Sequence, residues 1–217
     1  MRLQAQRLKG SLIPTRLYLV RHGQVADGHT HRYHGQNDIG LSPLGVKQLE
    51  DLAAQLQDRP MAAVYASDLS RAFEGARLIC RGRGFKPLAV PEFREVHFGR
   101  WEGLSFDEIA GQYPQELKGR FEDLANFRIP GGESLMDVRR RALPRLNELI
   151  KEHQGRALLI VAHAGLNRII LSEALGLPLD NLFHLDQNYG CLNIIDYFPD
   201  LPVVRLINGG VNGVGGG

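Results

Sequence analysis

Apolar positions along the chain fall into two periods. Short continuous runs are separated by longer stretches in which leucine, alanine and isoleucine recur every third or fourth residue. The run "RLYLV" (16–20) reads as a strand. So do "AAVYAS" (62–67) and "PLAV" (87–90), and "ALLIVA" (157–162) is the most buried-looking of all. "CLNIIDYF" (191–198) and "VVRLI" (203–207) read as two closing strands. Between them lie helical patterns. "LSPLGVKQLEDLAAQLQ" opens with Ser42 as N-cap and Pro43 at the first helical position, and Leu44, Leu49, Leu52, Ala53 and Leu56 follow at helical spacing. Asp68 is expected to cap a helix running to about Cys80.

The segment 92–130 is mixed, with helical pieces over Phe106–Tyr113 and Gln115–Asn126 broken at Pro114. Ser134 starts a long helix to about His153, in which Pro144 is expected to introduce a kink. A last helix is expected over Asn167–Leu175, with Gly176 at its C-terminus. Such alternation implies an α/β fold with a mostly parallel central sheet and helices on both faces. One domain is expected over residues 16–207, preceded by an N-terminal extension (1–15) and followed by a flexible Gly-rich tail (208–217). Arg2, Arg7 and Lys9, with no acidic residue among them, leave a short amphipathic targeting peptide as the alternative reading of the extension.

Composition narrows the partners. The 26 Lys and Arg nearly balance the 24 Asp and Glu, a net charge of +2, which gives no case for nucleic acid or a membrane surface. No apolar run approaches the ~20 residues that span a bilayer. Cys80 and Cys191 are far apart and read as reduced structural thiols, so a cytoplasmic location is expected.

In a parallel sheet, ligands bind beyond the carboxyl ends of the strands. "LYLV" runs straight into Arg21 and His22, and "LLIVA" into His163, Ala164 and Gly165. Arg71 lies one helical turn after the second strand, and Glu95 lies in a glycine-containing loop beyond the third. Taken singly, each has an ordinary structural reading. Together, two guanidinium groups and two imidazoles fit a tetrahedral oxyanion. Neutral His22 is a potential nucleophile, and Glu95 a potential acid for a leaving alkoxide. The arginines supply the positive charge, so neither metal nor cofactor is expected. The three histidines of "HTHRYH" (His29, His31, His34) read better as a polar loop at the pocket rim than as a metal site. Trp101 reads as an aromatic lid or as core.

The blocks "LVRHGQ", "GQNDIGLSPLGVKQ", "YASDLSRAFEGA", "EVHFGRWEG", "PGGES" and "IVAHAG" resemble the successive motifs of the histidine phosphatase superfamily, phosphoglycerate-mutase-like branch, over about Leu17 to Leu175. The resemblance implies a three-layer α/β/α sandwich. It implies His22 as the phosphorylated nucleophile, Arg21, Arg71 and His163 as the phosphate pocket, and Glu95 as proton donor. It also implies substrate contacts near His34, Gly35 and Ala164. The family often has Glu-Thr and then Asn where this chain has Gln24, Val25 and Gly28, Thr where it has Gly75, and Gly where it has Ala164.

A mutase must keep water off the phosphohistidine, and the 92–130 segment is modest for such a lid. The resemblance therefore implies a metal-independent hydrolase of a small phosphomonoester. Its overall look is similar to the α-ribazole phosphatases of cobalamin synthesis, with sugar or glycerate phosphates as other substrates. The alternatives are a phosphoglycerate mutase-type transferase and a non-catalytic phosphate- or protein-binding member. A homodimer through an edge strand is kept open.

Overall fold

The computed structural model describes residues 13–28 and 30–210. Six strands form one sheet: β1 (Thr15–Arg21), β2 (Ala63–Ala66), β3 (Leu88–Ala89), β4 (Ala157–Ala162), β5 (Leu192–Tyr197) and β6 (Pro202–Gly209), in the order β3-β2-β4-β1-β5-β6. The first four in that order are mutually parallel, β5 runs antiparallel to β1, and β6 antiparallel to β5. Among the described residues six α-helices accompany it: α1 (Pro43–Gln55), α2 (Ser70–Cys80), α3 (Phe106–Gln112), α4 (Pro114–Glu122), α5 (Leu135–Glu152) and α6 (Ala164–Leu175).

Successive side chains of a strand point to opposite faces, and this splits the core in two. Leu17, Leu19, Leu158, Ile160 and Ala162 pack with residues of α5 and α6. Tyr18, Val20, Leu159 and Val161 pack with residues of α1 and α2. The continuous apolar runs of β1 and β4 thus reflect burial on both faces, and the fold is a three-layer α/β/α sandwich.

Several local expectations change. Asp68 does not cap α2. Leu69 occupies the cap position without a side-chain bond, the Ser70 N–H donates instead to Asp38 Oδ1 at 2.7 Å, and Asp68 forms a two-pronged ion pair with Arg94. The helix expected over 115–126 stops at Glu122, because Asp123 Oδ1 accepts from the Asn126 backbone and side chain and closes a turn. Pro144 lies within α5 without ending it, on the exposed side of the helix. The helix after β4 starts three residues earlier than expected, directly after His163. The segment assigned to the tail contributes Asn208 and Gly209 to β6, and Thr15 belongs to β1; residues 1–12 and 211–217 lie outside the described residues. No helix among the described residues is long and apolar enough to cross a membrane. Cys80 and Cys191 are buried and unpaired, and burial pushes each thiol up to about 11.

The loop after β1 is pinned to α1 by backbone contact. A Cβ at Gly45 would lie 2.1 Å from the Gln24 carbonyl oxygen, and one at Gly23 would lie 2.2 Å from that of Gly45. Gly111, in α3, has nothing within 4 Å of such a Cβ. Alanine is the better helix former by roughly 0.5–1 kcal/mol, so Gly111→Ala should raise thermal stability. Gly45→Ala should instead lower it by about 1–3 kcal/mol through overpacking, and equal shifts in melting temperature would contradict this close approach.

Candidate active site

β1 and β4 are paired so that Arg21 lies opposite Ala162. The next residue of each strand is a histidine, so His22 and His163 emerge side by side, their ring centroids 5.1 Å apart and edge-on. Both are buried. The His22 Nδ1 lies 2.7 Å from the Gly23 carbonyl oxygen, an acceptor only, so Nδ1 carries the hydrogen and Nε2 is left with its lone pair. Neither ring nitrogen of His163 has a protein partner. His163 sits at the N-cap position of α6 with extended backbone, which places its ring beside the positive end of that helix. Desolvation first, and the charges of Arg21 and Arg71 next, hold His22 well below the usual imidazole range. Desolvation, then Arg71, do the same for His163. Both rings are therefore neutral near pH 7.

The guanidinium groups are held by carbonyls, and neither pairs with a carboxylate. Arg71 Nη1 and Nη2 donate to Asn37 O at 2.8 Å and Gly35 O at 2.6 Å. Arg21 Nη1 donates to Gln187 O at 2.5 Å, its guanidinium lies 3.8 Å from the Tyr189 ring centroid, and its Nε has no partner. Burial lowers the pKa of both, but arginine keeps its charge. Positive charge bound this way is left uncompensated toward the cavity, the condition for holding an anion.

Glu95 follows the 3-10 turn Pro91–Phe93 and reaches the same cavity. Its Oε1 accepts from the Val96 N–H at 2.9 Å and its Oε2 from the Gly165 N–H at 3.0 Å. A Cβ at Gly165 would fall 2.4 Å from Glu95 Oε1, so only glycine admits this approach. Glu133 fixes the loop from behind. It pairs with Arg141 at 2.8 Å and accepts from the His97 N–H at 3.0 Å, while Arg141 Nη2 donates to the Glu95 carbonyl at 2.8 Å. The glycines of "HFG" and "PGG" lie back to back, where a Cβ at Gly132 would be 2.3 Å from the His97 carbonyl oxygen.

Arg21, His22, Arg71, Glu95, His34, Gly35 and Ala164 all line one cavity of about 380 Å³. His163, beside His22, is fully buried and is not among the residues that line the cavity. His34 Nε2 meets Asp27 Oδ1 at 2.9 Å, His31 is exposed, and His29 lies outside the described residues. Among the described residues no three His, Cys, Asp or Glu side chains are grouped to hold a metal ion. Trp101 is buried against Ile109 and Ile129, with its Nε1 donating to Glu116, and one edge reaches the cavity. Gln24 faces α1, where its Oε1 accepts from Ser42 Oγ at 2.9 Å; Val25 gives the cavity an apolar wall.

Sequence reasoning missed the support beneath Arg21. Gln187 and Asn193 bond each other inside the core, and Asn193 Nδ2 also donates to the Leu19 carbonyl. Asn167, with its amide turned to suit its neighbours, donates to the His163 carbonyl at 3.2 Å and accepts from the Arg21 N–H at 3.3 Å. The signal was present as amides at Gln187 and Asn193 flanking and interrupting an apolar run. Tyr189, Arg120 and Arg168 were also missed, and all three line the cavity.

Comparison with known proteins gives the family. The model of the histidine phosphatase superfamily (branch 1) matches residues 17–209. A bifunctional protein of Mycobacterium tuberculosis is 34% identical over 197 residues, covering 90% of this chain and 54% of the relative; the chain thus spans about half the length of that relative. An adenosylcobalamin/alpha-ribazole phosphatase of Salmonella typhimurium is 28% identical over 193 residues, covering 89% of this chain and 96% of the relative. Among solved structures, a mycobacterial glucosyl-3-phosphoglycerate phosphatase in complex with VO3 superposes with a TM-score of 0.79 at 29% identity, covering 89% of this chain and 98% of that one. With the family model spanning nearly the whole described chain, the protein belongs to the histidine phosphatase superfamily, branch 1.

Proposed function

We propose that the protein hydrolyses a small phosphomonoester, without a metal, through a phosphohistidine at His22. The observation that carries this reading is the tautomer set by the Gly23 carbonyl, which leaves the lone pair on Nε2 of a histidine lining the same cavity as two guanidinium groups that pair with no carboxylate. In this mechanism Arg21, Arg71 and His163 hold the phosphoryl oxygens and spread the charge of the transition state. His22 Nε2 attacks phosphorus as the ester oxygen leaves, and Glu95 delivers a proton to that oxygen. The alcohol departs. Water then attacks the phosphohistidine, Glu95 takes its proton, and inorganic phosphate is released with His22 restored. The names of the relatives favour α-ribazole phosphate and a sugar or glycerate phosphate as substrates to try first.

One assay series tests the chemistry. Rapid acid-free quenching with a radiolabelled substrate should trap label on His22, and His22→Ala should lower turnover by at least about a thousandfold. Glu95→Gln should slow an alkyl phosphate about a hundredfold but 4-nitrophenyl phosphate far less, since that leaving group needs no proton. Retention of activity by His22→Ala, or equal losses on both esters, would contradict the assigned roles.

The neutral histidines give a pH signature in the free protein. Their folded pKa values are depressed, so below about 6.5 the unfolded chain binds protons that the folded one refuses. Stability is full above about pH 6.5 and falls as the pH drops, by up to about 1.4 kcal/mol per pH unit for each histidine. Denaturant titrations between pH 7 and 5 should show a shallower loss in a His22→Asn/His163→Asn double variant. Saturating inorganic phosphate should also flatten the wild-type loss, and parallel curves in all three cases would contradict this.

A further inference from the structure

Beyond the phosphoryl end the cavity carries Arg32, Arg120 and Arg168, but much of its lining is apolar. Val25, Leu117, Leu124, Leu135 and Leu182 form its walls. Phe106, Phe121 and Phe183 are exposed at 46%, 67% and 61%, and they are the exposed phenylalanines among the described residues. All three line this cavity. They come from three separate elements: the first residue of α3, α4, and the 3-10 turn Leu179–His184 that follows α6. Exposed aromatic surface gathered at one site from unrelated segments marks a contact surface rather than scatter.

The rim is also held in place. Phe106 begins a helix fixed by a capping box between Ser105 and Glu108, and Arg32 ties Glu108 to the Gly103 carbonyl. The Arg168 guanidinium lies 5.5 Å from the Phe183 ring centroid, and its Nε donates to the Leu185 carbonyl at 2.7 Å. Phe106 and Phe183 are therefore positioned before anything binds, which limits the ordering cost of a ligand beside them.

From this continuity between phosphoryl cradle and aromatic rim, we infer that the substrate's leaving group is a bulky apolar or aromatic alcohol, sandwiched by Phe121 and Phe183 while the phosphoryl group sits against His22. The inference rests on the phosphatase reading and deepens it. A small polar leaving group such as glycerate or serine could meet Arg120 or Arg168 but would leave the leucine walls and the phenylalanine rim in water. An arylalkyl group would remove that surface from solvent and align the ester oxygen with Glu95.

The test uses esters of equal leaving-group chemistry, ethyl phosphate and 2-(2-naphthyl)ethyl phosphate, both primary alkyl phosphates. The naphthylethyl ester should be favoured in kcat/KM by about a hundredfold, as expected of apolar pocket discrimination over many carbons. In a Phe121→Ser/Phe183→Ser double variant that ratio should fall below about tenfold. Both side chains are largely exposed, so folding does not depend on them, and Phe183→Ser alone should give an intermediate ratio. Turnover of both esters at similar kcat/KM, or an unchanged ratio in the variants, would overturn the inference while leaving the phosphatase reading intact. Turnover of neither ester nor of 4-nitrophenyl phosphate would overturn the phosphatase reading itself. A dimer that dissociates in the double variant would assign the rings to a protein interface, which also overturns the inference.

Discussion

The site depends on one register. Because Arg21 is paired with Ala162 across adjacent parallel strands, the residues that follow are forced to emerge together, and both are histidines. A slip by one residue would turn His22 or His163 toward a core layer. The register is in turn fixed by the alternating burial of β1 and β4, whose side chains divide between two apolar layers. Core packing and the geometry of the site are thus the same constraint viewed from opposite ends of the strand.

The second constraint is charge in a buried place. Arg71 is 2% exposed and has only two carbonyls for partners. Carbonyl contacts satisfy the direction of the guanidinium donors without cancelling the charge, and the neighbouring imidazoles answer by staying neutral. In the proposed mechanism an arriving dianion would reverse that balance, compensating the arginines and favouring protonation of His163, whose ring nitrogens have no protein partners. Glycines make the arrangement sterically possible where loops meet: Gly165 beneath Glu95, Gly132 against His97, and Gly45 against Gln24.

Much of this was legible in the sequence because it lies in short-range pattern. Apolar runs ending in Arg-His and in His-Ala-Gly locate the strand ends, and Ser42-Pro43 and Ser134 place two helix starts where the side-chain caps are found. What was not legible is long-range. Asp38 caps α2 from a distant loop, which no local rule assigns, so Asp68 was given the wrong task. Gln187 and Asn193 act only because β5 lies beside β1, and antiparallel addition at that edge leaves little local trace. The 92–130 segment supplies the rim through residues whose roles depend on how α3 and α4 fold over the cavity, and Phe106 and Phe121 carry no motif of their own.

In the proposed mechanism two imidazoles and two guanidinium groups converge on one tetrahedral or trigonal-bipyramidal anion. A crystal structure of the protein soaked with vanadate tests this most directly. Vanadium is expected bonded to His22 Nε2, with Arg21, Arg71 and His163 on its equatorial oxygens and Glu95 beside the oxygen opposite His22. Vanadate bound at another surface, or seated in the cavity without contact to His22 Nε2, would contradict it.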